Sequence, residues 1–414
     1  MDSENFKVVN EMQKNTLALK NDIYWVGVND YDLRVFDIVM ATEFGTSYNS
    51  YIVKGKEKTA LIDTAKANFT EDFMAKVSSL IEVERIDYLI LNHTEPDHSG
   101  AVIRLIEQHP EITVIATSPG LANLKEILNR PFKSLRATDQ LTIDLGGKTL
   151  SFMILPNLHW PDTMFTYLKE DNVLFTCDFF GSHYAFEGVY AAKVPSKTDF
   201  VSAFENYFFS IMLPFKPFVV KALDRIEHLE LNLIMTSHGP IIDQTFMKEA
   251  FSLYRQWSKP NLKHDIPLIV IPLASAYGYT AKIAEAISQG MRDQMKEAVQ
   301  IEILDVVDND PDIIVARIRA ADAFLIGTTT ILKDAPKPIW LILSELNPEI
   351  DGRKKATAFG SYGWSGEGVS NVLERLKQLK MVVKDGLRVR FNPSQDQLQE
   401  AYDFGRDFAQ FLDS

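Results

Sequence analysis

The chain has 414 residues, enough for two domains with cores of their own, and 46% of them are apolar. Its net charge of −13 argues against nonspecific nucleic-acid binding, which needs a basic surface. No run of about twenty uncharged apolar residues suggests a membrane span, and the start Met1-Asp2-Ser3-Glu4-Asn5 lacks the pattern of a secretion signal, so a cytoplasmic protein is expected.

Residues before Asn21 carry no readable pattern and are expected to form a local helix or an arm. The first informative stretch follows the strand-like run Ile86–Leu91. It reads His93-Thr94-Glu95-Pro96-Asp97-His98 and packs two imidazoles and two carboxylates into six residues. Imidazole with carboxylate suits divalent first-row metals and leans away from thiolate-type structural zinc. The bland alternative is a charged surface turn.

The same setting recurs along the chain. Leu150–Leu155 reads as a strand, followed by the loop Pro156-Asn157-Leu158-His159-Trp160-Pro161-Asp162. Asn172–Thr176 is another, ending in Cys177-Asp178. Leu231–Met235 is a third, followed by Thr236-Ser237-His238-Gly239-Pro240. Taken singly, His159 or His238 reads as a satisfied structural histidine and Asp178 as a turn cap. Together, four strand ends carrying His or Asp are expected to converge on one edge of a sheet. Four of the chain's eight histidines fall in this set. Cys177, the only cysteine, excludes an intrachain disulfide and reads as a small core residue rather than a catalytic thiol. His183 follows Asp178 closely, as a group for proton delivery or ligand support, or as a buried structural histidine.

A polar segment with Pro260, Lys259–His264, marks the expected boundary between domains 1–260 and 265–414. Beyond it, strand-like runs at Ile266–Leu273, Val299–Leu304, Ala323–Ile326, Ala356–Phe359 and Leu387–Phe391 alternate with helix-like runs. The latter include Thr280–Met291, Pro311–Ala320, Glu367–Leu379 and Gln395–Phe411. Five strands with helices between them suggest a doubly wound parallel sheet. The first strand-to-helix turn contains Ser275, Tyr277, Gly278, Tyr279 and Thr280, suited to wrapping a phosphate with backbone N–H groups. No Lys follows the glycine as in a P-loop, and G-x-G-x-x-G is missing. Thr328, Thr329, Thr330 and Ile331 follow the third strand, and Ser361, Tyr362, Gly363, Trp364, Ser365 and Gly366 the fourth. Both loops lie at carboxyl strand ends, where such sheets bind ligands.

The H-x-E-x-D-H pattern, followed by His159, Asp178 and His238, resembles the metallo-β-lactamase-like domain of the flavodiiron proteins. The three later loops resemble flavodoxin, and closely the flavodoxin module of that family. The resemblance runs from about Asn21 to the C-terminus in the family's domain order. It implies an N-terminal αββα sandwich of α+β class, then an α/β flavodoxin-like domain binding FMN. It also implies one iron on His93, Glu95 and His159, another on Asp97, His98 and His238, and Asp178 bridging them. Hydrolytic members of the superfamily carry H-x-H-x-D-H and usually bind zinc; Glu95 stands in place of the middle histidine, and its hard anionic oxygen favours iron. Tyr277 departs from the Ser or Thr common before this glycine in free-standing flavodoxins.

The implied activity is reduction of dioxygen to water, of nitric oxide to nitrous oxide, or both. A zinc hydrolase with a fused flavin domain and a non-enzymatic flavin electron carrier are the competing readings. With no C-x-x-C pair, electrons must come from outside this stretch of chain, from a rubredoxin or a flavin/NAD(P)H reductase. The resemblance further implies a head-to-tail homodimer, or a dimer of such dimers.

Overall fold

A computed structural model describes residues 16–259, 265–296 and 298–413. The chain divides into two compact units, one up to Lys259 and one from Pro260 onward. The expected linker 260–264 lies outside the described residues, as do residues 1–15.

The first unit stacks two sheets face to face with helices on both outer sides. One sheet runs in the order Leu17–Lys20, Ile23–Trp25, Tyr51–Lys54, Thr59–Ile62, Tyr88–Ile90, Thr113–Ala116, Ser134–Arg136. The other runs Thr142–Asp144, Thr149–Ile154, Met164–Leu168, Val173–Cys177, Leu233–Thr236. Period-two alternation puts one face of each sheet inward. Tyr51, Ile62, Ile90 and Ile115 of the first meet Phe152, Met164, Phe175 and Met235 of the second in a continuous core. The opposite faces pack on helices, through Phe73, Val77, Leu105 and Leu124 on one side and Phe204, Leu223, Ala250 and Tyr254 on the other. This is the αββα sandwich of the metallo-β-lactamase fold.

Two expectations need correction. Leu17–Lys20 is neither helix nor arm but an edge strand antiparallel to Ile23–Trp25. The ligand-bearing strand ends also do not share one sheet. Tyr88–Ile90 belongs to the first sheet, whereas Thr149–Ile154, Val173–Cys177 and Leu233–Thr236 belong to the second. The site therefore sits at one end of the sandwich, where loops from both layers meet.

The second unit has the parallel order Gln300–Asp305, Leu268–Leu273, Ala323–Gly327, Lys355–Tyr362, Leu387–Arg390, with the two-residue strand Val382–Val383 also beside Lys355–Tyr362. Order reverses beside the first strand, so the sheet is doubly wound in the flavodoxin manner. Helices Pro311–Ala320, Lys337–Glu345 and Glu367–Gln378 cover one face; Tyr279–Gln294 and Gln395–Asp413 cover the other. Lys337–Glu345 was not among the expected helices. Pro336 and Pro338 hide it in the sequence, yet Pro338 sits in its first turn, where a missing N–H costs nothing. Among the described residues, no helix is long and apolar enough to cross a membrane.

Candidate metal centre and flavin pocket

Asp63 anchors the loop after Tyr88–Ile90. Its carboxylate accepts from Asn92 N at 2.8 Å and Asn92 Nδ2 at 3.0 Å. Burial pushes its pKa up to about 6, against the opposing pull of His98 and the Asn92 bonds. Pro96 then opens a single helical turn, Pro96–Ser99, which carries Asp97 and His98 inward. Thr64 holds that turn by donating to the His98 carbonyl through N (2.8 Å) and Oγ1 (2.7 Å).

The seven expected ligand residues meet here in two groups. In the first, His93 Nε2 lies 3.0 Å and His159 Nε2 3.1 Å from Glu95 Oε2, and they lie 3.7 and 3.6 Å from Asp178 Oδ2. In the second, His98 Nε2 is 3.4 Å from Asp97 Oδ1 and 3.0 Å from Asp178 Oδ1. His238 Nε2 is 3.0 Å from Asp97 Oδ2 and 3.6 Å from Asp178 Oδ1. Asp178 thus turns one oxygen to each group. Ligand atoms about 2.1 Å from a common metal stand roughly 3 to 3.5 Å apart, and the distances here run from 3.0 to 3.7 Å.

Hydrogen bonding is consistent with cations in both places. Both oxygens of Asp97 and of Asp178, and both ring nitrogens of His98, are buried without a hydrogen-bond partner. Such atoms are costly unless something else satisfies them. The 3.0 Å approach of His98 to Asp178 is a contact lacking hydrogen-bond geometry, as expected of two atoms aimed at one ion. Burial pushes the Glu95 carboxyl up, but hydrogen bonds from His159 and His93 outweigh it and hold the group ionised. For His159 burial pulls the other way, but the nearby Asp178 and Glu95 carboxylates outweigh it and lift the imidazole to about 9.

Two ring orientations are fixed from behind. His93 Nδ1 meets Asp162 Oδ1 at 3.0 Å, and His238 Nδ1 meets the Ser47 carbonyl at 2.7 Å. A carbonyl only accepts, so His238 Nδ1 carries the proton and Nε2 is left to face the site. Asp162 also accepts from Thr94 N (2.8 Å) and Thr94 Oγ1 (2.6 Å), tying His93 to the His159 loop. Sequence reasoning passed over Asp162, although a carboxylate three residues after His159 in the same loop was the available signal. Thr46, Tyr48 and Tyr207 were also missed, since a single Thr or Tyr has no spacing that ties it to the distant ligands.

His183 packs 5.1 Å from the His238 ring and 4.3 Å from Phe36, with Nδ1 2.8 Å from Thr46 Oγ1. Burial, reinforced by His238, keeps it neutral. Cys177 is buried beside His98 and Asp178, and burial pushes its thiol pKa well up, the opposite of an activated nucleophile.

In the second unit, a cavity of about 730 Å3 opens at the carboxyl ends of the strands. Ser275, Tyr277, Tyr279, Thr280, Thr329, Thr330, Ile331, Ser361, Tyr362, Gly363, Trp364 and Ser365 line it as expected. Three expected contacts do not. Gly278 (φ 78°) and Gly366 (φ 73°) instead supply left-handed backbone where helices Tyr279–Gln294 and Glu367–Gln378 begin. Thr328 is buried at the strand end, donating from N to the Phe359 carbonyl at 2.8 Å and from Oγ1 to the Thr329 carbonyl at 2.9 Å. Ala276, Leu332, Lys333 and Phe391 complete the wall. Phe391 was missed because it ends a strand-like run and no glycine follows it in the loop; Ser361 Oγ donates to its carbonyl at 2.8 Å. Trp364 and Tyr277 stand 92% and 84% exposed at the rim, aromatic faces placed for a flat ring.

Fold and site define a protein class: a β-lactamase-like domain with a two-metal ligand set, joined to a flavodoxin. Family comparison agrees. The ODP family beta lactamases match residues 46–239 and the flavodoxins residues 271–405. The flavo-diiron protein FprA2 of Clostridium acetobutylicum is 42% identical, over 96% of this chain and 99% of its own length. An anaerobic nitric oxide reductase flavorubredoxin of Pectobacterium atrosepticum is 31% identical over 95% of this chain and 77% of its own. Among solved structures, the flavodiiron protein of Giardia intestinalis aligns with a TM-score of 0.67 and 27% identity, covering 96% of this chain and 97% of that one.

The chain belongs to the flavodiiron protein family. Membership implies FMN and a diiron centre, and the orphaned buried donors of one unit and the aromatic-rimmed cavity of the other fit that pair.

Proposed function

We propose that this protein is a flavodiiron oxidoreductase that reduces nitric oxide to nitrous oxide, dioxygen to water, or both. The observation that carries the reading is Asp178, whose two oxygens each address a separate three-residue group. His93, Glu95 and His159 would hold one iron and Asp97, His98 and His238 the other, with Asp178 between them. When bound, the irons supply Lewis acidity and two electrons, and FMN two more, matching the four that dioxygen needs and exceeding the two that couple a pair of nitric oxide molecules.

The protein's own groups set the conditions. Glu95, Asp97 and Asp178 bring three negative charges into cover, against four positive charges on two ferrous ions. Asp162 and the Ser47 carbonyl hold two imidazoles with Nε2 facing inward. Only Glu95 (side chain 13% exposed) and His159 (20%) meet solvent noticeably, so small molecules enter beside them while bulk water stays out. His183, neutral and fixed by Thr46, is placed to hold or pass a proton through Nε2. Ser275, Tyr277, Tyr279, Thr280, Thr329, Thr330, Ile331, Ser361, Tyr362, Gly363, Trp364 and Ser365, which line the cavity, would hold FMN, with Gly278, Thr328 and Gly366 shaping the loops. Electrons arrive from a separate cytoplasmic partner such as a rubredoxin or a flavin reductase. A head-to-tail homodimer would bring one protomer's flavin to its partner's irons.

Anaerobic stopped-flow mixing of the reduced protein with each gas tests the reading. Rapid flavin and iron reoxidation with nitrous oxide or water as product supports it; reoxidation no faster than that of free FMN refutes it.

A further inference from the structure

Besides His98, whose ring is 4.9 Å away, four aromatic side chains surround His238. Ring centroids of His183, Phe36, Tyr48 and Tyr207 lie 5.1, 5.4, 5.7 and 6.0 Å from its own. Three of these four carry a buried polar atom with no hydrogen-bond partner: Tyr48 Oη, Tyr207 Oη and His183 Nε2. A fully buried hydroxyl left unpaired is destabilising, and phenylalanine would fill the same space without that cost.

The short strand Thr46–Tyr48 gives the clearest placement. Thr46 Oγ1 engages His183 at 2.8 Å, and the Ser47 carbonyl fixes His238 at 2.7 Å. Period-two alternation puts the Thr46 and Tyr48 side chains on the same face of the strand. Tyr48 is wholly buried there, and its phenol feels the charges of Asp97, Asp30 and Asp37. A phenol is protonated at neutral pH, so the unpartnered Tyr48 O–H is a donor. Asp97 does not take that donor, because its oxygens address His98 and His238 instead.

We propose that the Tyr48 hydroxyl is a substrate-binding group, donating a hydrogen bond to the small oxygen-bearing ligand held at the Asp97–His238 half of the centre. This rests on the function proposed above. It makes that half the binding side, with Tyr48 presented by the strand that also positions His183 and His238.

Tyr48→Phe in the holoprotein, probed with nitric oxide, tests it. Iron and FMN content should stay at the wild-type level while nitric oxide affinity falls about tenfold, the loss expected for one hydrogen bond to a bound ligand. The N–O stretching band of the bound gas should also move. The denaturation midpoint of metal-free Tyr48→Phe should hold or rise, because an unpaired hydroxyl has been removed. Unchanged affinity and stretch, or a lowered midpoint marking a structural hydroxyl, would overturn the inference alone. Wild-type protein that binds no nitric oxide would overturn both this inference and the proposed function.

Discussion

At the metal centre, seven side chains from four loops meet under cover, and three of them, Asp97, His98 and Asp178, keep all their polar side-chain atoms without a hydrogen-bond partner. The flavin pocket is an open bowl of loop backbone and hydroxyls, several already engaged with their neighbours, under two exposed aromatic rings. The first site specifies its ligand by residue chemistry, the second by loop shape. The metal centre should therefore respond sharply to single side-chain changes that leave the other site untouched. Flavin binding should respond by degrees.

Asp178→Ala should break this contrast most strongly if the account is wrong. Removing the shared carboxylate should lower gas turnover by at least ~100-fold, with the flavin absorbance spectrum retained. Turnover near wild type would contradict the assigned bridge. Asp162→Asn probes support behind the ligands: iron affinity, read by chelator competition, should fall about 10- to 100-fold with FMN binding unaltered. Equal iron retention would show that the His93 orientation is held by packing alone.

Legibility followed the same division. Ligand residues stood out in sequence because His, Asp and Glu at strand ends are rare in concert, and the structure brings all seven together. Tyr48 did not, because a supporting group is defined by its neighbour in space, and Asp162 was signalled only by its place in the His159 loop. Assignment of the four strand ends to a single sheet failed for a related reason. Each strand was readable, but whether Tyr88–Ile90 pairs with Thr149–Ile154 or stacks across from it depends on long-range pairing that local pattern does not encode. In the second unit, glycines and hydroxyls marked the loops that line the cavity. They could not say that Gly278 and Gly366 act through backbone, or that Phe391 closes the wall.

A milder effect is expected at the flavin. Trp364→Ala should weaken FMN binding about tenfold, measured by fluorescence titration, while iron content is unchanged. An unaltered Kd would remove the ring from the binding surface. The smallest effect concerns the frame of the first unit. Lys76 is buried, donates to the Gly27 carbonyl at 2.6 Å and lies 4.3 Å from the Trp25 ring centroid. Burial lowers its pKa to about 8, opposed by Asp72. Between that value and the ordinary ~10.4 the unfolded chain binds more protons than the folded one, so stability rises with pH there. From pH 8 to 9 the gain should be about 1 kcal/mol relative to Lys76→Met, read from paired urea unfolding curves. Parallel curves would mean that the amine is solvated.

Metal and flavin quantification on protein reconstituted anaerobically with ferrous iron and FMN tests the central claim most directly. The account predicts about two irons and one FMN per chain, with the irons coupled through a shared ligand in Mössbauer and magnetic spectra. A single isolated iron, or zinc retained in preference to iron, would contradict it.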